Sequence, residues 1–291
     1  MKENKILLAV GGGCAAILAV LGLVVFWQSP DYYNLGELYF FKRQLVAHGV
    51  GLAVALGAAT LGWRRIVRGA PWICGAFIVT TCLCAFTVGV GRCSGNSNVG
   101  SCWVNVWSCV FAVASLALAG VTSKRLRWCL VYVATLSVAF GCYVLCSGDA
   151  IGLGFAQQQL VAAWDSARWF GGCEASLREV PMAFASGMTS GTGVVSGRVV
   201  SVLGTLAAFG LAAAFFVLGV RGRDRGRRLF GLSFGTFLAG QTAVAFLQCV
   251  EWMPMTRCVI PLFAFGVMQS IITWFAIGLG VAAILDDREG V

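Results

Sequence analysis

The chain is short of charge. Only 11% of its 291 residues are Asp, Glu, Lys or Arg, while 59% are hydrophobic; a typical soluble domain carries about 25% charge. A water-soluble globular domain is excluded. Acids are the scarcer sign, with 12 Asp and Glu against 21 Lys and Arg. Histidine occurs once and no Cys-x-x-Cys pair exists, so the spacings that build Cys/His metal sites are missing. The five prolines (Pro30, Pro71, Pro181, Pro254 and Pro261) fall between the apolar runs or at their ends, where a lost N–H costs little.

What the chain does have is long apolar runs. Eight are read as spans: 6–27, 44–63, 72–91, 103–122, 128–146, 199–220, 229–250 and 262–285. Each is near the ~20 residues that cross a hydrocarbon core of about 30 Å. In lipid an isolated segment must satisfy its own backbone hydrogen bonds, so all are expected to be helices. The expected fold is an all-α polytopic bundle forming one membrane domain over residues 1–291. Lys2 and Lys5 before the first run give it the look of an export signal. The run is longer than the ~7–15 apolar residues of such a signal, so it is read as a retained first span.

The cations alternate along the chain. Arg64, Arg65 and Arg68 crowd one connection, Lys124, Arg125 and Arg127 another, and Arg221, Arg223, Arg225, Arg227 and Arg228 a third. The connections between them hold fewer. Fourteen Lys and Arg fall on one side and seven on the other. Cytoplasmic loops keep the excess of Lys and Arg, which places both termini in the cytoplasm. The net charge of +9 is therefore read as orientation and attraction to anionic headgroups. The bilayer is the expected partner, and nucleic acid is not.

One connection is long. Residues 147–198 form an extracytoplasmic loop of about fifty residues, and long connections are usually functional or disordered. Its first part carries Gln157, Gln158 and Gln159; its second, Met182 to Gly197, is rich in Gly, Ser and Thr and uncharged. Seven of the 13 cysteines lie inside spans, where Cys behaves as a small apolar residue. Six lie in or beside outer loops, two to each: Cys93 and Cys102, Cys146 and Cys173, Cys249 and Cys258. Disulfides would be natural on that face, but spacing does not fix connectivity. Mass spectrometry of the unreduced protein is expected to find these thiols blocked; six free thiols there would end the pairing. His48, inside the second span, is read as hydrogen-bonded within the bundle, and Gly231-xxx-Gly235 as a close helix contact.

Asp31 to Gln44 reads DYYNLGELYFFKRQ. This resembles the FtsW/RodA/SpoVE family, the SEDS proteins of shape, elongation, division and sporulation, in which a "YYFLKRQL" segment similarly opens the second span. Gln241, then Pro254-Met255-Thr256-Arg257 and Pro261-Leu262-Phe263-Ala264-Phe265-Gly266, resemble a Gln in the penultimate span followed by "P-x-T-G-x-x-x-P-F-x-S-Y-G-G". Gly148-Asp149 through Gln157, Gln158 and Leu160 to Ala162 resembles "GD-x-YQ-x-x-QS-x-x-A". Val180 to Ser186 stands where the family has Leu-Pro-Glu-Ala-His-Thr-Asp. The likeness runs nearly end to end, and no motif is intact.

The resemblance implies a multi-pass protein of the bacterial inner membrane that handles lipid II, the undecaprenyl-linked peptidoglycan precursor, beside a class B penicillin-binding transpeptidase. No organic cofactor is implied, and a divalent cation beside the pyrophosphate is compatible with the chemistry. The family's acid is the Asp of the His-Thr-Asp segment. Here Ser186 takes its place, Phe184 that of the His and Met182 that of the Glu. The family's Gln-Pro-Ser-Glu is reduced to Val106-Trp107-Ser108-Cys109, and its Gln-Pro-Asp-x-Gly-Thr region is absent. Glycan extension needs a base for the attacking hydroxyl, worth about 10²–10⁴-fold, and Ser has no such basicity without a base of its own. Asp165 and Glu179 are the substitutes chosen from the loop's acids, which also include Asp149 and Glu174. Arg168, Arg178 and Arg257 are candidates for the phosphates, and Gln158 and Gln241 are further substrate-binding candidates. The readings left open are a glycosyltransferase with a relocated carboxylate, a non-catalytic scaffold or regulator of the transpeptidase, and a lipid flippase or permease.

Overall fold

The computed structural model describes residues 2–28, 38–69, 169, 197–222, 224–249, 260–264 and 266–289. Its elements are five long helices: α1 (Lys2–Gln28), α2 (Tyr39–Leu61), α3 (Arg198–Arg221), α4 (Arg225–Cys249) and α5 (Val267–Glu289). All five are long and apolar enough to cross a membrane. A helix of 23 residues such as α2 is about 35 Å long at 1.5 Å per residue. The expected spans 72–91, 103–122 and 128–146 lie outside the described residues, as does nearly all of 147–198.

The helices alternate in direction, and their ends gather into two layers. At one end Trp63 Nε1 donates to Asp224 Oδ2 at 3.4 Å, and the Arg64 N–H donates to Asp286 Oδ2 at 3.2 Å. These bonds bring together the end of α2, the α3–α4 turn and the end of α5. Arg64, Arg65, Arg68, Arg221, Arg225, Arg227 and Arg228 therefore share one end, and α1 begins there too. At the other end Trp27 meets Phe41 edge-on, with ring centroids 5.1 Å apart. There the Val199 N–H donates to the Trp169 carbonyl at 3.2 Å.

Packing is strongest in one pair far apart in sequence and in one hairpin. α2 lies along α5, α3 along its hairpin partner α4, and α1 along α3. The α3–α4 crossing is close because Gly231 faces the backbone of Gly219 and Phe215, leaving no room for a Cβ. The second glycine of the expected pair, Gly235, faces Phe216 and Ala212 less closely, where a Cβ would be tight at 3.1–3.2 Å. Below that crossing Phe215, Phe230 and Phe234 form an aromatic cluster, with Phe215 and Phe234 4.7 Å apart at 65°. Trp63 joins it through Phe230 at 5.5 Å. Such pairs contribute about 0.5–1.5 kcal/mol each beyond burial.

Helix ends differ from expectation in instructive ways. α2 starts at Tyr39 rather than 44, because the interfacial Tyr39-Phe40-Phe41-Lys42-Arg43 run is itself helical. Arg43 lies over the Tyr39 ring one turn back, 5.1 Å from its centroid, an arrangement suited to a membrane-water boundary. α2 stops at Gly62, whose φ of 79° suits glycine far better than other residues. Residues 63–69 then run as a short helix carrying Arg64, Arg65 and Arg68 outward over buried Trp63 and Ile66. α4 starts at Arg225 rather than 229. The largest correction is at the last span: α5 starts at Val267, not 262, because residues 260–264 form a turn.

Candidate functional site

That turn is the centre of the described site. Ile260, Leu262 and Phe263 are fully buried although they belong to a connection. The turn closes through the Ala264 N–H donating to the Ile260 carbonyl at 3.0 Å. Leu262 sits in the left-handed region at φ 66°, which costs a non-glycine residue about 1–2 kcal/mol. Burial of two large side chains outweighs that, since each is worth about 1.5–3 kcal/mol. Phe263 wedges between α1 and α3, both of which present glycine to it. A Cβ at Gly22 would stand 2.7 Å from the Phe263 carbonyl oxygen, and one at Gly204 2.8 Å from Phe263 Cζ.

Gln44 holds the plug from α2. It is completely buried. Its Oε1 accepts the Gly266 N–H at 3.3 Å, at the entry to α5. Its Nε2 donates to Ser270 Oγ at 2.9 Å and reaches the Ala264 carbonyl at 3.4 Å. One amide thus ties the end of the turn to the entry and first turn of α5, whose leading N–H groups have no partner within their own helix.

His48 lies one turn further along α2. Trp274 Nε1 donates to its Nδ1 at 3.1 Å, so Nδ1 carries no proton and the neutral ring is protonated on Nε2. A proton on Nδ1 would set two N–H groups against each other. His48 Nε2 also stands 3.3 Å from Gln44 Nε2; with both atoms bearing hydrogen, that approach is a contact between donors and not a bond. The cluster of Gln44, His48, Ser270 and Trp274 is therefore rich in donors and contains no carboxylate. It fixes helices and a turn. Nothing in it accepts a proton from a sugar hydroxyl as a carboxylate would.

Of the candidate residues taken from the sequence, Gln241 is described: it is buried at 6% exposure on α4, a helix packed chiefly on α3. Gln158, Asp165, Arg168, Arg178, Glu179, Ser186 and Arg257 lie outside the described residues, as do Cys93, Cys102, Cys146, Cys173 and Cys258. Cys249 ends α4. Trp169, from the long loop, accepts the Val199 N–H through its carbonyl, and Arg198 lies over its ring at 5.8 Å. Among the described residues no three His, Cys, Asp or Glu side chains converge on a metal position. Sequence reasoning placed His48 inside the bundle, as found, but gave Gln44, Ser270 and Trp274 no role. The available signal was spacing: Gln44 and His48, and Ser270 and Trp274, are both i,i+4 polar pairs inside apolar spans.

The helices, their apolar faces and their alternating ends define a polytopic helical membrane protein. Its fold is that of RodA. The chain superposes on the rod shape determining protein RodA of Thermus thermophilus with a TM-score of 0.61 at 22% identity, covering 96% of each chain. A variant of that protein gives 0.61 at 22% identity over 96% of this chain and 97% of that one. A chain from a structure on coordination of polymerization and crosslinking by a peptidoglycan synthase complex matches with a TM-score of 0.59. Its identity is 18%, over 94% of this chain and 97% of that chain. No family model matches, and no curated protein does.

Proposed function

We propose that this chain is a SEDS-type membrane protein of bacterial cell-wall synthesis. One observation carries the reading. The two segments that most resemble the family, the one ending at Gln44 and the one from Pro261 to Gly266, meet in space through Gln44 and the Gly266 and Ala264 backbone. They do so in a chain that shares the RodA fold over nearly its whole length. Two segments more than 200 residues apart would not be expected to meet by chance in both respects.

The topology proposed is eight spans with both termini on the basic, cytoplasmic side. The shared basic end, where α1 begins and α5 ends, supports it. Residues 147–198 then face outward, where lipid II and a class B penicillin-binding transpeptidase would be met. The described part of the site has no general base, so polymerisation rests on Asp165 or Glu179 of that loop, with Arg168, Arg178 and Arg257 toward the phosphates. A second reading is favoured by the replacement of the family's acid, His and Glu by Ser186, Phe184 and Met182: a scaffold that binds the transpeptidase or lipid II without chemistry.

The experiment is incubation of the purified protein, with and without its transpeptidase, with labelled lipid II. A glycan ladder reduced about 10²-fold or more by Asp165→Ala or Glu179→Ala supports the enzyme. A ladder that neither change affects refutes the residue assignment. Retained transpeptidase binding with no ladder supports the scaffold. Transfer of lipid between vesicle leaflets without polymer would replace both readings by a flippase.

A further inference from the structure

The short helix over residues 63–69 has two unlike faces. Trp63 and Ile66 are buried, and Val67 packs partly against the same core. Arg64, Arg65 and Arg68 are exposed. Two carboxylates hold the helix in this orientation. Asp286, near the end of α5, accepts the Arg64 backbone N–H through Oδ2 at 3.2 Å, and its Oδ1 lies 3.4 Å from where a Gly62 Cβ would stand. Asp224, in the α3–α4 turn, accepts the Trp63 indole N–H at 3.4 Å. Both acids are thus engaged by backbone and indole, and not by a guanidinium. Among the described residues no side chain pairs with the guanidinium of Arg64, Arg65 or Arg68. Arg64 and Arg68 stand one turn apart, where like charges destabilise a helix; an anion between them removes that repulsion.

The helix also stands at the depth of lipid phosphates. Arg43 marks one boundary of α2, and a rise of 1.5 Å per residue from there to Arg64 covers about 30 Å, the thickness of the hydrocarbon core. The exposed apolar surface of α2 ends at Leu61, and the first arginine follows three positions later. A guanidinium presents a planar fork of donors that matches phosphate oxygens. We propose that residues 63–69 form a headgroup site that holds an anionic phospholipid by its phosphate. Arg64, Arg65 and Arg68 are the binding residues, and Asp224 and Asp286 the positioning residues. Basic segments directly beyond a span are suited to such headgroups. The site differs from the general pull of cytoplasmic cations on a charged surface, because it depends on the helix being held. It rests on the membrane reading of the chain and is independent of lipid II chemistry.

The test is native mass spectrometry of the full chain released from bilayers of equal phosphatidylglycerol and phosphatidylcholine. Phosphatidylglycerol is expected to be retained at least about fivefold over phosphatidylcholine, the factor that one basic residue near a surface supplies. The triple change Arg64→Gln, Arg65→Gln, Arg68→Gln alters exposed side chains only and should bring the two lipids to equal retention. Lys42→Gln, at an exposed cation of the opposite end, should leave the preference as it was. Asp286→Ala separates a held helix from charge alone. It makes the chain more positive, so general attraction predicts stronger retention, whereas loss of the acceptor for the Arg64 N–H should lower the preference. Asp286→Asn keeps an acceptor oxygen and should restore it. The triple change decides the matter even if Asp286→Ala does not fold. Equal retention by the parent, or a preference that survives the triple change, overturns the proposal, as does stronger retention by Asp286→Ala. Displacement of the lipid by inorganic phosphate or by polyglutamate would assign the arginines to a soluble anion and overturn it as well. A failure here leaves the lipid II assay untouched, because the two read opposite ends of the bundle.

Discussion

Gly278→Leu is expected to abolish a stable bundle, leaving little monodisperse protein after detergent extraction. A Cβ at Gly278 would stand 2.6 Å from the Ala55 Cα and 2.8 Å from its carbonyl carbon. These are helix backbone atoms, so no side-chain rotation relieves the clash and α2 must move off α5. Overpacking alone costs about 1–3 kcal/mol. Separation also strains the Gln44–Ser270 and Trp274–His48 bonds, which lie in the same interface and are worth roughly 0.6 kcal/mol each in lipid. The measurement is size-exclusion of a fluorescent fusion after graded heating. Gly57→Leu, on α2, meets open space and should elute and melt with the parent. Because the obstruction is backbone, Ala55→Gly in combination with Gly278→Leu should give no rescue. A stable Gly278→Leu protein would mean that α2 and α5 do not lie this close.

Much of this fold is legible in the sequence, for a physical reason. A membrane helix must be apolar for about 20 residues and its inner connections must carry cations, and both leave marks that survive without any motif. The starts of α1 and α3 follow from those marks within a few residues. Where they fail, a second requirement intervenes. The run from 262 is as apolar as a helix, yet its first residues turn, because Phe263 fits the space left by Gly22 and Gly204 on two other helices. Hydropathy records how apolar a residue is and says nothing of which glycine lies opposite. The start of α2 was missed for the reverse reason: Lys42 and Arg43 look like loop residues, but long cationic side chains can reach the headgroups from within a helix. The site is partly legible in the same sense. Gln44 and His48 stand out as polar groups inside an apolar span, but their partners, Ser270 and Trp274, are 226 residues further along. Spacing within one helix cannot announce a pairing of that range.

Gln44→Leu is expected to loosen the plug while leaving the helices in place. Leucine keeps most of the volume but removes one acceptor and two donor hydrogens. The Gly266 N–H and the Ala264 carbonyl lose their Gln44 partner in a buried setting. Leaving a buried polar group unsatisfied costs about 1–3 kcal/mol, so a loss of about 2 kcal/mol and a clearly lower melting temperature follow. Local opening is the sharper readout. Ala264 is 3% exposed, so Ala264→Cys should resist a water-soluble maleimide in the parent and react at least about tenfold faster beside Gln44→Leu. The population argument gives that factor, since 1.4 kcal/mol of local stability is tenfold in the open state. His48→Phe provides the contrast. It removes the ring nitrogen that accepts from Trp274 but leaves every Gln44 bond to the turn, so Ala264→Cys should stay protected. Equal labelling in both backgrounds would mean that Gln44 does not hold the turn. The two segments that carry the family resemblance would then be neighbours without being coupled, and the argument from their meeting would lose its physical basis.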